Sequence, residues 1–435
     1  MKSTHYHTGP QFALFVNASK AYPHMQSSFA RALSSFIETG NSKMRISGTQ
    51  PKAPRAGIRL TAMVLGLLTI GSANVAQASY LQTGSYGNLN WTAQSTIVGQ
   101  TSTGTIASGG SPTYLAPMPQ YNGVVSLIMN YSNGSFICSG TLMSDRKSIL
   151  TAAHCVAGAS GTPLSTTAYF YGGSNPETIV NSSPLSSAVA VSNYYVNPFY
   201  TGSVIDQNDI AVLTLASEAP AFANSYGLYG GSDLTGNDFN VAGYGRRSDA
   251  GGNVGANLGT GRLRQGDNRY DFRLGDSDFF GIKPYTWSSI LGEPTAQIAY
   301  TYLSDFDNGN PDNDLSCNIA TYAFGIGPSA KYCNSGRGAT EVSVAGGDSG
   351  GPQFIGGLVS SVTSFGLTFK SGWGDVDDNL NSSFGEFNGF VPVSIHTNFI
   401  HNAMNGYLSV PEPDSLALIG LGLFGVMFAR RRKQT

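Results

Sequence analysis

Two short motifs hold side chains that could serve as a nucleophile and its base. Thr151-Ala152-Ala153-His154-Cys155 comes first, and Gly346-Gly347-Asp348-Ser349-Gly350-Gly351-Pro352 lies far downstream. A serine hydroxyl is a weak nucleophile at neutral pH. It needs an imidazole to take its proton, and the imidazole needs an acid to fix its tautomer. His154 and Ser349 supply the first two roles. For the acid there are two nearby candidates, Asp206 and Asp209. Asp209 is preferred because it opens the apolar run 210–215, which reads as a strand edge. Such a trio would carry out acyl transfer. The small residues around Ser349 suit that chemistry: Gly347 lets the main chain present its N–H, with that of Ser349, to a developing oxyanion.

Further segments accompany the pair. They are Cys138-Ser139-Gly140-Thr141-Leu142, Asn208-Asp209-Ile210-Ala211-Val212-Leu213, Val241-Ala242-Gly243-Tyr244-Gly245 and Ser364-Phe365-Gly366. With the order His154, Asp209, Ser349, they resemble the trypsin-like serine proteases. The resemblance implies an all-β fold of two six-stranded antiparallel barrels, chymotrypsin-like, with a C-terminal helix. It implies His154, Asp209 and Ser349 as catalytic residues, Gly347 and Ser349 as the oxyanion hole, and Ser364 as support for the aspartate. It pairs Cys138 with Cys155 and Cys317 with Cys333, where cysteine count alone leaves three pairings open. The specificity pocket falls on Ser343, Phe365, Gly366 and Gly389. A neutral Ser343 at its base argues against a strict Arg or Lys preference and for a large apolar or mixed one. Glu341 lies two residues away, and Ala345 stands where one cysteine of the family's pocket disulfide would be. Ile97-Val98-Gly99-Gln100 resembles the family's mature N-terminus, whose ammonium would pair with Asp348. Thr96 before it is not basic, so self-activation in the manner of trypsin is not expected.

The elements that must position these residues read as short strands. β-branched and aromatic runs recur from residue 124 onward, separated by turn residues, and Gly is abundant at 55. A helical pattern occurs near 393–404 and ends at Asn405-Gly406. Two stretches exceed the family's usual length, 245–310 and 370–388; they either shape substrate access or are solvated decoration, the second reading being preferred. Charged residues are 11% of the chain and the net charge is −2, so nothing points to nucleic acid.

Both ends read as targeting segments. Arg55 and Arg59 precede the apolar run 60–71, and Ala76-Gln77-Ala78 follows: a secretory signal peptide. Met44 is an alternative start. At the other end, Pro411-Glu412-Pro413, the apolar run 416–428 and the basic Arg430-Arg431-Arg432-Lys433 resemble the PEP-CTERM sorting signal of Gram-negative bacteria. That resemblance implies removal of the tail by an exosortase-type membrane peptidase after transient membrane association. The expected organisation is a leader and signal peptide over 1–78, a flexible Ser/Thr/Gly-rich arm over 79–117, a protease domain over 118–408 and the sorting signal over 409–435. The expected location is the cell surface, the outer membrane or extracellular polymer.

The expected partners are a protein or peptide substrate and the sorting peptidase, with the chain itself a monomer. No cofactor is expected except a candidate calcium site at Asp305, Asp307, Asp312 and Asp314, where oxygen ligands alternate. Two other functions fit parts of the pattern. Gly347-Asp348-Ser349-Gly350-Gly351 also satisfies the nucleophile elbow of α/β-hydrolase esterases, with Asp375, Asp377, Asp378, His396 and His401 downstream. That reading needs alternating strands and helices and leaves 151–155 unexplained. A non-catalytic surface-binding module on a protease fold is the other.

Overall fold

The structure is a computed structural model that describes residues 82–87, 89–94, 97–99, 111–157, 161–277, 286–292, 296–325 and 332–408. The leader, Met44 and the sorting tail lie outside the described residues. An N-terminal segment supplies β1 (Gln82–Tyr86), β2 (Leu89–Gln94) and β3 (Ile97–Gly99). Then come β4 (Val124–Tyr131), β5 (Gly134–Leu142), β6 (Ser148–Thr151), β7 (Ser165–Tyr171), β8 (Ser186–Val196) and β9 (Ala211–Leu215). These six close into an antiparallel barrel in the order β4-β5-β6-β9-β8-β7. The period of two is visible in β4. Val125, Leu127, Met129 and Tyr131 enter one core cluster, while Val124 enters another.

The second half contains β10 (Asp238–Gly243), β11 (Arg264–Arg269), β12 (Phe272–Arg273), β13 (Tyr302–Phe306), β14 (Val342–Val344), β15 (Pro352–Ile355), β16 (Leu358–Thr368) and β17 (Glu386–Pro392). Its sheet runs β11-β10-β15-β16-β17-β13-β12, and β14 pairs instead with β3. The two ends of this path, β11 and β12, are consecutive in the chain with only Tyr270 and Asp271 between them. Taken as one interrupted strand, they give the second barrel six strands, joined there by the chain rather than by a ladder. The fold is thus a chymotrypsin-like double barrel, with its second barrel an open sheet. The interruption has a local cause. The Tyr270 amide turns to the Asn237 carbonyl, and the buried Asp271 carboxylate accepts the amide of Asp305.

Helix is scarce among the described residues. α1 (Leu315–Asn318) is one turn. α2 (Thr397–Met404) buries Ile400 and Ala403 and ends at Asn405, before Gly406 with φ +69°. No helix among the described residues is long and apolar enough to cross a membrane.

Two expectations need correction. The flexible arm expected over 79–117 is, over 82–94, an antiparallel hairpin in which Leu89, Trp91 and Ala93 are buried. Alternation explains it: residues 89, 91 and 93 share one face, and that face enters the core with Phe365, Leu367 and Trp287. Burying Leu89 alone contributes about 2 kcal/mol. The two long stretches also pack on each other. The Phe384 amide donates to the Gly252 carbonyl at 2.8 Å, and the Ala256 amide to that of Asn381 at 2.7 Å.

Candidate active site

His154 sits in the 3-10 turn Ala153–Cys155 directly after β6. The disulfide between Cys138 and Cys155 ties this turn to β5, and the Tyr131 hydroxyl donates to the Cys155 carbonyl at 2.8 Å. Asp209 approaches from the loop before β9 and is 1% exposed. One of its oxygens, Oδ1, accepts the His154 amide at 2.8 Å; the other, Oδ2, lies 2.7 Å from His154 Nδ1. Ser364 Oγ donates to Oδ2 at 2.5 Å. With three contacts on one carboxylate, the imidazole is fixed in place and its Nδ1 carries the proton, leaving Nε2 to act as a base. Asp206 does different work. It accepts the amides of Thr201 and Asn208 at 2.8 Å each and shapes the loop, and burial pushes its carboxyl above the ordinary range.

Ser349 follows a turn that only glycines can make. Gly347 has φ +109° and Gly350 φ +79°. A Cβ on Gly350 would lie 2.0 Å from Thr151 Oγ1 and 2.6 Å from the Ala152 amide. The two motifs that opened the sequence reading therefore touch, and the contact needs a residue without a side chain. Two main-chain bonds orient the turn. The Gly346 carbonyl accepts from Arg246 at 3.0 Å, and the Asp348 carbonyl accepts from Gly351 at 2.6 Å. In a trans peptide the N–H points opposite to its carbonyl. These two bonds thus set the directions of the Gly347 and Ser349 amides. Ser139 Oγ holds the Gly347 carbonyl at 2.9 Å. Ser349 and His154 line one cleft of about 320 Å³, together with Met129, Phe136, Ile137 and Gly347.

Asp348 is buried behind this turn. Its Oδ1 accepts the Gly245 amide at 2.8 Å, while Oδ2 has no hydrogen-bond partner among the described residues. Burial raises its carboxyl well above the usual range. Gly243 and Gly245 make room for it: a Cβ on either would fall within 2 Å of the carboxylate, at 1.7 and 1.9 Å. β3 lies nearby in the chain's pairing, with Ile97 opposite Val344.

The expected pocket residues lie on β14 (Ser343), β16 (Phe365, Gly366) and β17 (Gly389). Ser343 is 1% exposed and Phe365 is 0% exposed. The Phe365 ring lies over Gly389, where a Cβ would sit 2.2 Å from it. Gly366 pairs with Asn388, not with Gly389. Asn388 is the residue that sequence reasoning missed. Its Oδ1 accepts Ser343 Oγ at 2.8 Å and the Val344 amide at 2.7 Å, so its amide lies between the two strands. The available signal was a polar Asn inside the strand Phe387-Asn388-Gly389-Phe390, where a polar side chain needs partners. Glu341 is turned elsewhere, accepting the amides of Asp307 and Arg337.

Of the four calcium candidates, Asp305 and Asp314 both accept the Ser316 hydroxyl. Asp312 is exposed, while Asp305, Asp307 and Asp314 are buried. Their oxygens accept from Ser316, Gly309 and Cys317, in turn and capping bonds. Among the described residues, the one His/Cys/Asp/Glu group spaced to hold a metal is Cys138, His154 and Cys155, and its sulfurs are joined in a disulfide. The second disulfide joins Cys317 and Cys333. The esterase reading fails on the fold. Ser349 is followed by β15, in an antiparallel sheet, where the elbow requires a helix. His396 is a buried structural residue, with Nε2 donating to the Gln207 carbonyl and Nδ1 accepting from the Asn197 amide.

Comparison with known families agrees with this geometry. The family model described as Trypsin matches residues 96–270, taking in His154 and Asp209 and ending before Ser349. The PEP-CTERM protein-sorting motif matches residues 409–433. Residues 96–270 thus form part of a trypsin-like domain, and residues 409–433 carry a PEP-CTERM signal. No curated protein matches it. The signal indicates export and sorting in Gram-negative bacteria. In the trypsin-like domain, the segment from Ser349 onward, beyond the family match, completes the cleft.

Proposed function

We propose that the protein is an exported serine endopeptidase that cleaves peptide bonds through an acyl-enzyme. The observation that carries this reading is the 2.7 Å contact of His154 Nδ1 with Asp209, with Ser349 in the same cleft. Ser349 Oγ adds to the scissile carbonyl as His154 Nε2 takes its proton. Asp209 holds the imidazolium that forms, and Ser364 holds Asp209. The amides of Gly347 and Ser349 receive the oxyanion, each worth on the order of 10²–10³ in rate. His154 then gives its proton to the leaving amine, and water, activated by the same imidazole, releases the acid.

Activation would follow cleavage before Ile97. The new ammonium would then reach the buried Asp348 Oδ2, which has no hydrogen-bond partner among the described residues. The neutral Ser343 and Asn388 pair argues against an Arg or Lys preference. The sorting peptidase would act on the tail, leaving a monomer at the cell surface or in extracellular polymer. The alternative is a non-catalytic binding module on the same fold. A fluorophosphonate probe tests the choice: it should label the protein at Ser349 and leave Ser349→Ala unlabelled. An unlabelled native chain, matured at both ends, would overturn the peptidase reading.

A further inference from the structure

A peptide substrate in extended form is held most simply by adding a strand to an open sheet edge. The strand that passes the nucleophile is β16. Thr363 accepts the Gly350 amide at 2.8 Å and donates to the Gly351 carbonyl at 2.9 Å, one and two residues after Ser349. Ser364 then reaches Asp209. Three positions beyond Thr363, the strand edge is already taken. β2 pairs antiparallel with it, Gln94 opposite Gly366, Ala93 opposite Leu367 and Thr92 opposite Thr368. On its other side β16 pairs with β17. Only positions 364 and 365 separate the segment bound to the nucleophile turn from the segment bound to the hairpin.

The hairpin is firmly seated. Leu89, Trp91 and Ala93 are buried against Phe365 and Leu367, and Gln82 Oε1 accepts the amides of Val204 and Ile205. A substrate strand cannot displace it cheaply, because Leu89, Trp91 and Ala93 hold it by apolar burial and, until the bond before Ile97 is cut, it also competes from within the same chain. The polarity of β2 also shows which half of a substrate is concerned. β2 runs toward Gly366 and thus toward Ser364. A peptide of the same polarity reaches Ser349 with the residues preceding its scissile bond laid over β16.

We propose that the β1–β2 hairpin ends the acyl-side groove, so that at most two substrate residues before the scissile bond pair with β16. At about 3.3 Å per residue, positions 364 and 365 offer only about 7 Å of strand. This rests on the peptidase reading above, and it adds a limit on substrate length. The third and earlier residues would add nothing to recognition.

The test uses fluorogenic peptide amides with one to five residues before the scissile bond and an identical residue next to it. The enzyme is matured protein shown by mass spectrometry to retain residues 82–94, and first shown to take a fluorophosphonate at Ser349. kcat/KM should rise at the second residue and then stay within about twofold through the fifth. A further gain of about tenfold at the third or fourth residue would overturn the limit while leaving the peptidase reading intact. Failure of labelling at Ser349 would remove the reading and the groove together. Trp91→Ala loosens the seat of the hairpin. In that variant, once hydrogen exchange shows β2 released, the third residue should begin to contribute. A released hairpin with a flat series would overturn the assignment to β1–β2.

Discussion

Asn388 holds Ser343, the residue the family resemblance puts at the base of the specificity pocket. Its amide oxygen satisfies both Ser343 Oγ and the Val344 amide. Replacing it with glycine removes that oxygen and opens room between β14 and β17. Leaving the Val344 amide without its acceptor costs about 1–3 kcal/mol unless water enters. Asn388→Gly should therefore melt at a lower temperature and, in a panel of chromogenic peptides, accept larger residues before the scissile bond than the native chain does. An unchanged size preference in a folded variant would show that this amide does not border the substrate. The same site marks how far residues can be read from sequence. His154, Asp209 and Ser349 stand in motifs whose neighbours are dictated by close backbone contact, so their spacing is legible. Which of two adjacent strand residues faces the cleft depends on register, and a shift of one residue exchanges Gly389 for Asn388.

At the scale of elements, the first barrel is legible because each strand alternates and is bounded by turn residues. The hairpin at 82–94 is not, because its Ser, Thr and Gly content reads as linker and three buried residues give only a brief alternating signal. The break between β11 and β12 is invisible for another reason: it follows from a tertiary contact of Asp271 with Asp305. Where the two barrels meet, one position carries the join. Gly350 brings the Ser349 turn against the end of β6, with no space for a methyl group between its Cα and Thr151 Oγ1. Its φ of +79° adds strain for any other residue. Gly350→Ala should cost several-fold in activity even where the chain still folds, because Ser349 must move away from His154. The measurement is the rate of fluorophosphonate labelling beside a thermal melt. A variant with native labelling and a native melt would show that the barrels yield more readily than close packing allows.

Across the described residues, the unusual feature is how many carboxyl groups are buried. Burial, then neighbouring carboxylates, push Glu341 up to about 9. Asp271 and Asp307 are raised to about 7, first by burial and also by the nearby charge of Asp314, while their hydrogen bonds oppose the rise. Glu386, in the 370–388 stretch, is raised to about 8 by burial, although the amides of Asn381, Ser382 and Ser383 oppose this. Each of these groups keeps its proton in the fold at a pH where the unfolded chain has lost it, near the ordinary carboxylate value of about 4. Their contribution to stability is thus complete in acid and is lost as pH rises through about 7 to 9. His396 acts with the opposite sign. Burial lowers its pKa, so its contribution is lost as pH falls below the ordinary histidine range. Between pH 7 and 9 the histidine is neutral in both states and only the acids titrate. Over that interval, at fixed ionic strength, the melting temperature should fall steadily. Glu341→Gln, which cannot ionise, should flatten the upper part of the slope. A melting temperature that holds constant or climbs from pH 7 to 9 would mean that these carboxylates are ionised in the fold and are matched by charge from elsewhere.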